Sequence, residues 1–252
     1  VTTPPESPNR ARAGQPAHGR PRLERRRVGW FRQVGLIARK DLAIELSTGE
    51  IITTSGFFAV LVAVIASLAF FAGAGAAQAV APGVIWVAVA FSSVLALSRT
   101  WQREREDGAL LGLLVTPLDR SAIFAGKALG VAVFITAIEL IVIPVTALFF
   151  SIDLVKFGPG LVLLTLAATP GIAASGTLFG AMTARTRARD LVLASVLFPL
   201  LAPCLLAAVA GTRALFGGAP VSELTDYVEL MAMFGFIFGA GGLAMFGALM
   251  DS

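Results

Sequence analysis

The sequence predicts an all-α, polytopic membrane protein with six transmembrane helices, and three observations carry that expectation. The first is composition: of 252 residues, 56% are apolar and only 14% charged, where soluble domains have about 25% charged residues. Counting the 26 glycines and leaving out the single Tyr raises the apolar-plus-glycine share to about 66%, against roughly 45–50% in soluble domains. At a mean hydropathy of +0.82, a water-soluble domain of this size has too little interior to enclose the apolar surface. The second is the spacing of charge: 48 residues between Glu50 and Arg99 contain no Asp, Glu, Lys or Arg. The third is a one-sided distribution of Lys and Arg among the loops.

Residues 1–27 hold five prolines and seven arginines without hydrophobic periodicity, the signature of a disordered basic arm. No short apolar region with a small-residue cleavage site follows the Arg cluster, so it does not read as a secretory signal. A solvated tail near anionic headgroups is the first reading, and RNA or lipid specificity the second. The net charge of +4 fits nucleic acid only weakly. Arginines clustered beside apolar spans point to membrane topology instead, and no nucleic-acid partner is expected.

Residues 28–50 carry a different pattern. At about 100° per residue, Trp30, Phe31, Val34, Ile37, Ala38, Leu42, Ile44 and Leu46 share one broad arc, with Arg32, Arg39 and Lys40 opposite. This predicts an amphipathic helix in the cytoplasmic interface, its cations toward headgroups. Asp41 and Glu45 fall inside the apolar arc, facing either a protein partner or their own i,i+4 Arg and Lys neighbours.

The span domain, 51–252, follows. A membrane helix needs about 20 apolar residues, so the first charge-free window holds two spans, with the Gly/Ala-rich stretch 73–80 as their turn. The expected spans are 51–72, 81–98, 121–150, 158–182, 191–210 and 229–250. The N-terminal fifty residues carry ten Lys and Arg, the 99–120 loop four and the 183–190 loop three; the other three loops carry only Lys156 and Arg213. Seventeen against two places both termini in the cytoplasm by the positive-inside rule. No internal repeat is evident.

The inventory excludes several chemistries. One Cys (Cys204) and one His (His18, in the Pro/Arg-rich arm) leave no disulfide framework, His/Cys metal cluster or spanned Ser-His-Asp site. No G-x-x-x-x-G-K-[ST] sequence occurs, so the chain has no phosphate loop for ATP and is not expected to be an enzyme itself. Glu139 stands eleven residues into the apolar run from Ala128, about 16 Å at 1.5 Å per residue. An ionisable group near the middle of a roughly 30 Å core costs about 2.5–3.5 kcal/mol on insertion scales. It is therefore a functional candidate, or else a protonated or Ser/Thr-bonded carboxyl that packs helices. An intramembrane enzyme built on Glu139 lacks a second catalytic group. Pro144, Pro170, Pro199 and Pro203 predict kinks or hinges in spans three to five. The pairs Gly126/Gly130, Gly176/Gly180 and Gly235/Gly239 permit close helix crossing, within one subunit or between two.

The loop 99–120 is the most informative segment. Its first half carries Arg103, Glu104, Arg105, Glu106 and Asp107; Gly108 follows, then a run containing Leu110, Leu111 and Leu114 that ends at Thr116–Pro117. A short helix with a charged end and an apolar stripe can lie on the membrane and offer its charges to a soluble protein; self-paired charges on a solvated loop helix are the plainer reading.

Here a resemblance becomes specific. The stretch Glu106-Asp107-Gly108-x-Leu-x-x-Leu-Leu-x-Thr-Pro-Leu resembles the first cytoplasmic loop of the CcmB family, the B-type permeases of cytochrome c maturation. Ala81-Pro82-Gly83-Val84-Ile85-Trp86-Val87-Ala88 is similar to the opening of that family's second span, and Thr169-Pro170-Gly171 with Gly176-x-x-x-Gly180 to its fourth. The likeness covers about residues 30–250. Glu139 departs from the family pattern, and no family role is carried onto it.

The resemblance implies an ABC-2-type permease in the bacterial inner membrane. Its implied partners are a separate CcmA-like ATPase that uses the ATP, a CcmC-like haem-handling subunit, a small CcmD-like subunit and the haem chaperone CcmE, with two permease copies per complex. The implied role is coupling ATP hydrolysis to haem delivery and chaperone release, with haem as cargo; the coupling helix then falls on Arg103–Leu114. For resident haem, iron ligation by His, Cys, Met or Tyr leaves Cys204, Tyr227 and five methionines, so a haem site is expected in a partner. A permease for a lipid, glycan or drug, and a non-transporting membrane scaffold, share most of these features.

Overall fold

A computed structural model describes residues 29–70, 74–106, 118–183 and 189–251. The apolar windows fold as long helices because in hydrocarbon each backbone N–H and C=O needs a partner within its own segment. Among the described residues there are seven α-helices and no strand: α1 Trp30–Thr48, α2 Glu50–Ala69, α3 Ala74–Glu106, α4 Arg120–Phe150, α5 Leu154–Thr183, α6 Arg189–Phe216 and α7 Thr225–Asp251. A 3-10 turn, Val221–Leu224, precedes α7. Six stretches are long and apolar enough to cross a membrane: Glu50–Ala69, Ala79–Gln102, Arg120–Phe150, Leu154–Thr183, Ser195–Phe216 and Val221–Ala248. Each contains most or all of one expected span.

The differences lie at the ends. The turn expected over 73–80 is helical from Ala74 onward, because Ala disfavours the helix least of all residues. At its other end α3 runs on to Glu106, so the charged start of the 99–120 segment is the continuation of a span rather than a separate loop helix. α6 continues past the expected end at 210 to Phe216. The helices run unbroken through Pro144, Pro170, Pro199 and Pro203, and through Pro82 and Pro159 as well.

Local chemistry sets the junctions. Gly49 adopts φ 63° and ψ 12°, a left-handed conformation natural to glycine, and its N–H bonds to Glu45 O at 2.6 Å. It closes α1 and lets α2 begin at the next residue in a new direction. α4 ends at Ser151, also left-handed at φ 53°. Asp153 then caps α5, its Oδ1 accepting from Val155 N at 2.9 Å and Lys156 N at 3.2 Å.

The helices alternate in direction. Arg99 at the far end of α3 reaches Glu50 at the start of α2, 3.5 Å apart. Phe124 near the start of α4 packs on Phe246 near the end of α7, ring centroids 5.6 Å apart. Phe157 and Phe216 meet at 5.1 Å where α5 begins and α6 ends. One end of the bundle thus gathers the start of α2, the end of α3, the start of α4 and the end of α7.

α3 and α5 form the interior, each with 72% of its spanning window buried, whereas α7 has 17% buried and offers most of its surface outward. Lipid tails are as apolar as leucine, so helix association rests on close packing and internal hydrogen bonds. Gly176 and Gly180 of α5 take the Leu97 and Trp101 side chains of α3 directly over their backbone. A Cβ on Gly235 of α7 would lie 3.3 Å from Gly171 N of α5, so these two helices cross backbone to backbone. Gly126 admits Ile37 of α1. These glycines serve packing within the chain; Gly239 faces open space. Trp86 Nε1 donates to Thr212 Oγ1 at 2.8 Å, and that hydroxyl donates onward to Ala208 O at 2.8 Å, satisfying the buried indole between α3 and α6.

Candidate coupling end and intramembrane polar site

Of the predicted loop residues, Arg103, Glu104, Arg105 and Glu106 form the last turn of α3. Asp107, Gly108, Leu110, Leu111, Leu114 and Pro117 lie outside the described residues. The segment is therefore framed by α3 on one side and by Leu118, Asp119 and α4 on the other.

At that frame α1 packs along α4. Its predicted apolar arc is divided between two environments: Ile37 and Ala38 are buried, while Phe31, Ile44 and Leu46 stay exposed on the outer side of the helix. Trp30 Nε1 donates to Ser121 Oγ at 3.0 Å. Gln33 Nε2 donates to Asp119 Oδ2 at 3.2 Å, and Asp119 N donates to Gln33 Oε1 at 2.9 Å. Asp41 Oδ2 accepts from Lys127 Nζ at 2.9 Å, with the two side chains 8% and 3% exposed; Oδ1 meets Lys40 Nζ at 3.2 Å. Glu45 accepts from Ile52 N at 2.8 Å, neutralising the positive end of α2 where first-turn N–H groups lack helical partners.

Asp41 and Glu45 thus face neither a foreign partner nor helix-face neighbours alone. Their main anchors are other helices of the same chain. Sequence reasoning missed Lys127, which fell outside the loop tallies and inside the expected third span, 121–150. The signal was there: a lone cation entering an apolar run, and an acid inside an apolar arc, each too costly to bury unpaired. Their pairing across 86 residues needs the tertiary structure.

The second site is Glu139 on α4. It is 3% exposed and Thr169 on α5 is 4% exposed. The Thr169 hydroxyl lies 2.9 Å from Oε1 and 3.0 Å from Oε2. The side chain faces the bundle, as an ionisable group in a span should, and its hydrogen-bond partner is a hydroxyl of the neighbouring helix. Thr169 is followed by Pro170 and Gly171, the latter at the α5–α7 crossing, so the family-like triplet and Glu139 converge mid-bundle. Pro82 and Gly83 lie in the opposite half of α3, with Trp86 on Thr212.

Of the haem-ligand candidates, Cys204 and Met231 belong to one apolar core cluster, with Tyr227 packed against it. Cys204 is fully buried in the apolar core, its Sγ 4.0 Å from Ala168 O. Met231 is buried, while Met182, Met233 and Met245 are exposed on the bundle surface. Among the described residues, no group of three or more His, Cys, Asp or Glu side chains is placed to hold a metal ion.

Fold and site define a polytopic α-helical membrane protein whose polar chemistry lies at one end of the bundle and at one buried carboxyl. Residues 32–248 match the family model described as CcmB protein, and the chain belongs to that family. It is 27% identical to the heme exporter protein B of Bradyrhizobium diazoefficiens over 199 residues, 78% of this chain and 88% of that one. The Pseudomonas aeruginosa heme exporter protein B is 26% identical over 187 residues, 74% and 83% of the two chains. That of Paracoccus denitrificans is 31% identical over 160 residues, 63% and 72%.

Proposed function

We propose that this chain is the transmembrane permease subunit of an ABC transporter that couples ATP hydrolysis in a separate subunit to haem delivery in c-type cytochrome maturation. The observation that carries the reading is the CcmB family match over 32–248, which takes in all but the first two residues of α1 and all six spans. In this reading the end bearing α1, the last turn of α3 and the start of α4 faces the cytoplasm of a bacterial inner membrane. Both termini are on that side, with residues 1–27 as a basic arm, 28–50 as the interfacial segment and 51–252 as the permease body. A CcmA-like ATPase docks on Arg103–Leu114. CcmC-like and CcmD-like subunits and the haem chaperone CcmE complete the complex, and two permease copies pair in it. Haem is cargo or moves through a partner.

The test is purification of the intact complex in mild detergent. An ATPase together with a tryptophan-rich haem protein is the expected result. An ATPase alone, with a lipid or glycan released on ATP hydrolysis in proteoliposomes, would move the assignment to another cargo. Chaperone release without any cargo movement would make the chain a coupling scaffold.

A further inference from the structure

We propose that Gln33, Asp41 and Lys127 are positioning residues that bolt α1 to the start of α4, so that displacement of the 99–120 segment enters the membrane through α1 and α4 moving as one rigid body. The inference rests on the reading that this segment docks the ATPase.

The contacts form one stripe. Gln33, Ile37, Asp41 and Glu45 recur every four residues and are the buried face of α1. They meet in turn Asp119, Gly126, Lys127 with Gly130, and the first turn of α2. Asp119 is the residue before α4, two positions beyond Pro117. It is a natural cap for its own helix, yet it makes no side-chain cap bond there; its carboxylate accepts from Gln33 instead. The exit of the docking segment is therefore held by α1.

Apolar burial alone would let an interfacial helix slide or roll at little cost, because apolar contact is non-directional. A buried charge pair does not. Moving α1 by one residue, about 1.5 Å, carries Asp41 and its neighbour Lys40 together out of the register in which the buried Lys127 ammonium meets the Asp41 carboxylate. Register is the best-attested use of buried polar groups. Gly126 and Gly130 make the contact close enough: a Cβ on Gly130 would lie 3.6 Å from Asp41 Cβ, inside the roughly 3.5–4.5 Å that a disulfide spans.

That distance supplies the experiment. Membrane vesicles carrying the full complex, in a Cys204→Ser background, are assayed for holo-cytochrome formed per ATP hydrolysed, at matched permease and bound ATPase. Asp41→Asn should lower the ratio at least fivefold with the ATPase still bound, and Asp41→Lys/Lys127→Asp should recover most of it. Asp41→Cys/Gly130→Cys/Lys127→Met should be low when reduced and rise toward wild type when oxidised, since a covalent bond replaces the ion pair. Oxidation that abolishes turnover would show that α1 must move relative to α4, and would overturn the proposal. So would a wild-type ratio in Asp41→Asn. If Asp41→Asn does not accumulate, the oxidised and reduced states of the cysteine variant decide. Unchanged ATPase binding together with unchanged holo-cytochrome yield after Glu106→Lys/Asp107→Lys removes the docking reading and this inference with it. Release of the ATPase by that variant, with normal output from Asp41→Asn, removes this inference alone.

Discussion

Glu139 shows how a single carboxyl is tolerated in a span. Its cost in hydrocarbon is met by facing inward to Thr169, whose hydroxyl is within 3.0 Å of both oxygens. This geometry supports a packing role: the pair joins α4 to α5 at the level where Gly171 lets α7 cross. Glu139→Gln keeps shape and hydrogen bonding, so membrane abundance and cytochrome maturation should stay near wild type. Glu139→Ala should destabilise the subunit by about 1–3 kcal/mol, the usual cost of disrupting a buried hydrogen bond, read as lost abundance or a lower melting temperature in detergent. A Gln variant that accumulates normally yet fails in maturation would make the carboxyl part of the mechanism. Packing residues behave differently. Gly180 has the Trp101 indole over its Cα, so Gly180→Val should overpack the α3–α5 contact by about 1–3 kcal/mol. Gly239 faces open space, and Gly239→Ala should leave the isolated subunit's melting temperature unchanged.

At the scale of elements, the sequence was most legible where physics is local. Charge-free windows mark spans because an unpaired charge in hydrocarbon is expensive, and each of the six expected spans lies largely within one apolar helix. Helix ends were less legible. Ala-rich and charged flanks both continue a helix, so 74–80 and 99–106 extended α3 where a turn and a loop were expected. α1 was read as amphipathic, correctly in kind. Its division into a protein-facing stripe and an outward face depends on α4, 70 residues away and more. The docking role proposed for 99–120 belongs to this scale too. Glu106 ends α3 and Asp107 follows it, and exposed ion pairs contribute only about 0–1 kcal/mol each, so single alanines there should be mild. Glu106→Lys/Asp107→Lys shifts the local charge by four units, and like charges set against each other at an interface cost several kcal/mol. The double variant should insert normally but release the ATPase, or separate its hydrolysis from cytochrome maturation. Unchanged co-purification and holo-cytochrome yield, at equal abundance, would reduce the segment to a solvated helix end.

At the scale of the whole molecule, the property to test is which face of the membrane each end of the bundle meets. The alternation of the helices places α1, the last turn of α3, the start of α4 and the end of α7 together, and this end bears Arg32, Arg39, Arg99, Arg103, Arg105 and Arg120. Among the described residues, the opposite end has only Lys156 and Arg213. Cytoplasmic loops collect Lys and Arg because these resist translocation, which supports the proposal that the Arg-rich end lies inside the cell. Lys156 and Gly217 are exposed at the opposite end, and Arg39 is exposed on α1. In a Cys204→Ser background, Lys156→Cys and Gly217→Cys should react with a membrane-impermeant maleimide added to intact spheroplasts. Arg39→Cys should react only after lysis, and so should Arg187→Cys. Because six spans return the chain to its starting side, labelling of Arg39→Cys and Arg187→Cys from outside, with Lys156→Cys protected, would invert the whole subunit and move the ATPase-docking end out of reach of cytoplasmic ATP. Labelling of Arg187→Cys alone from outside would break the span count between α5 and α6.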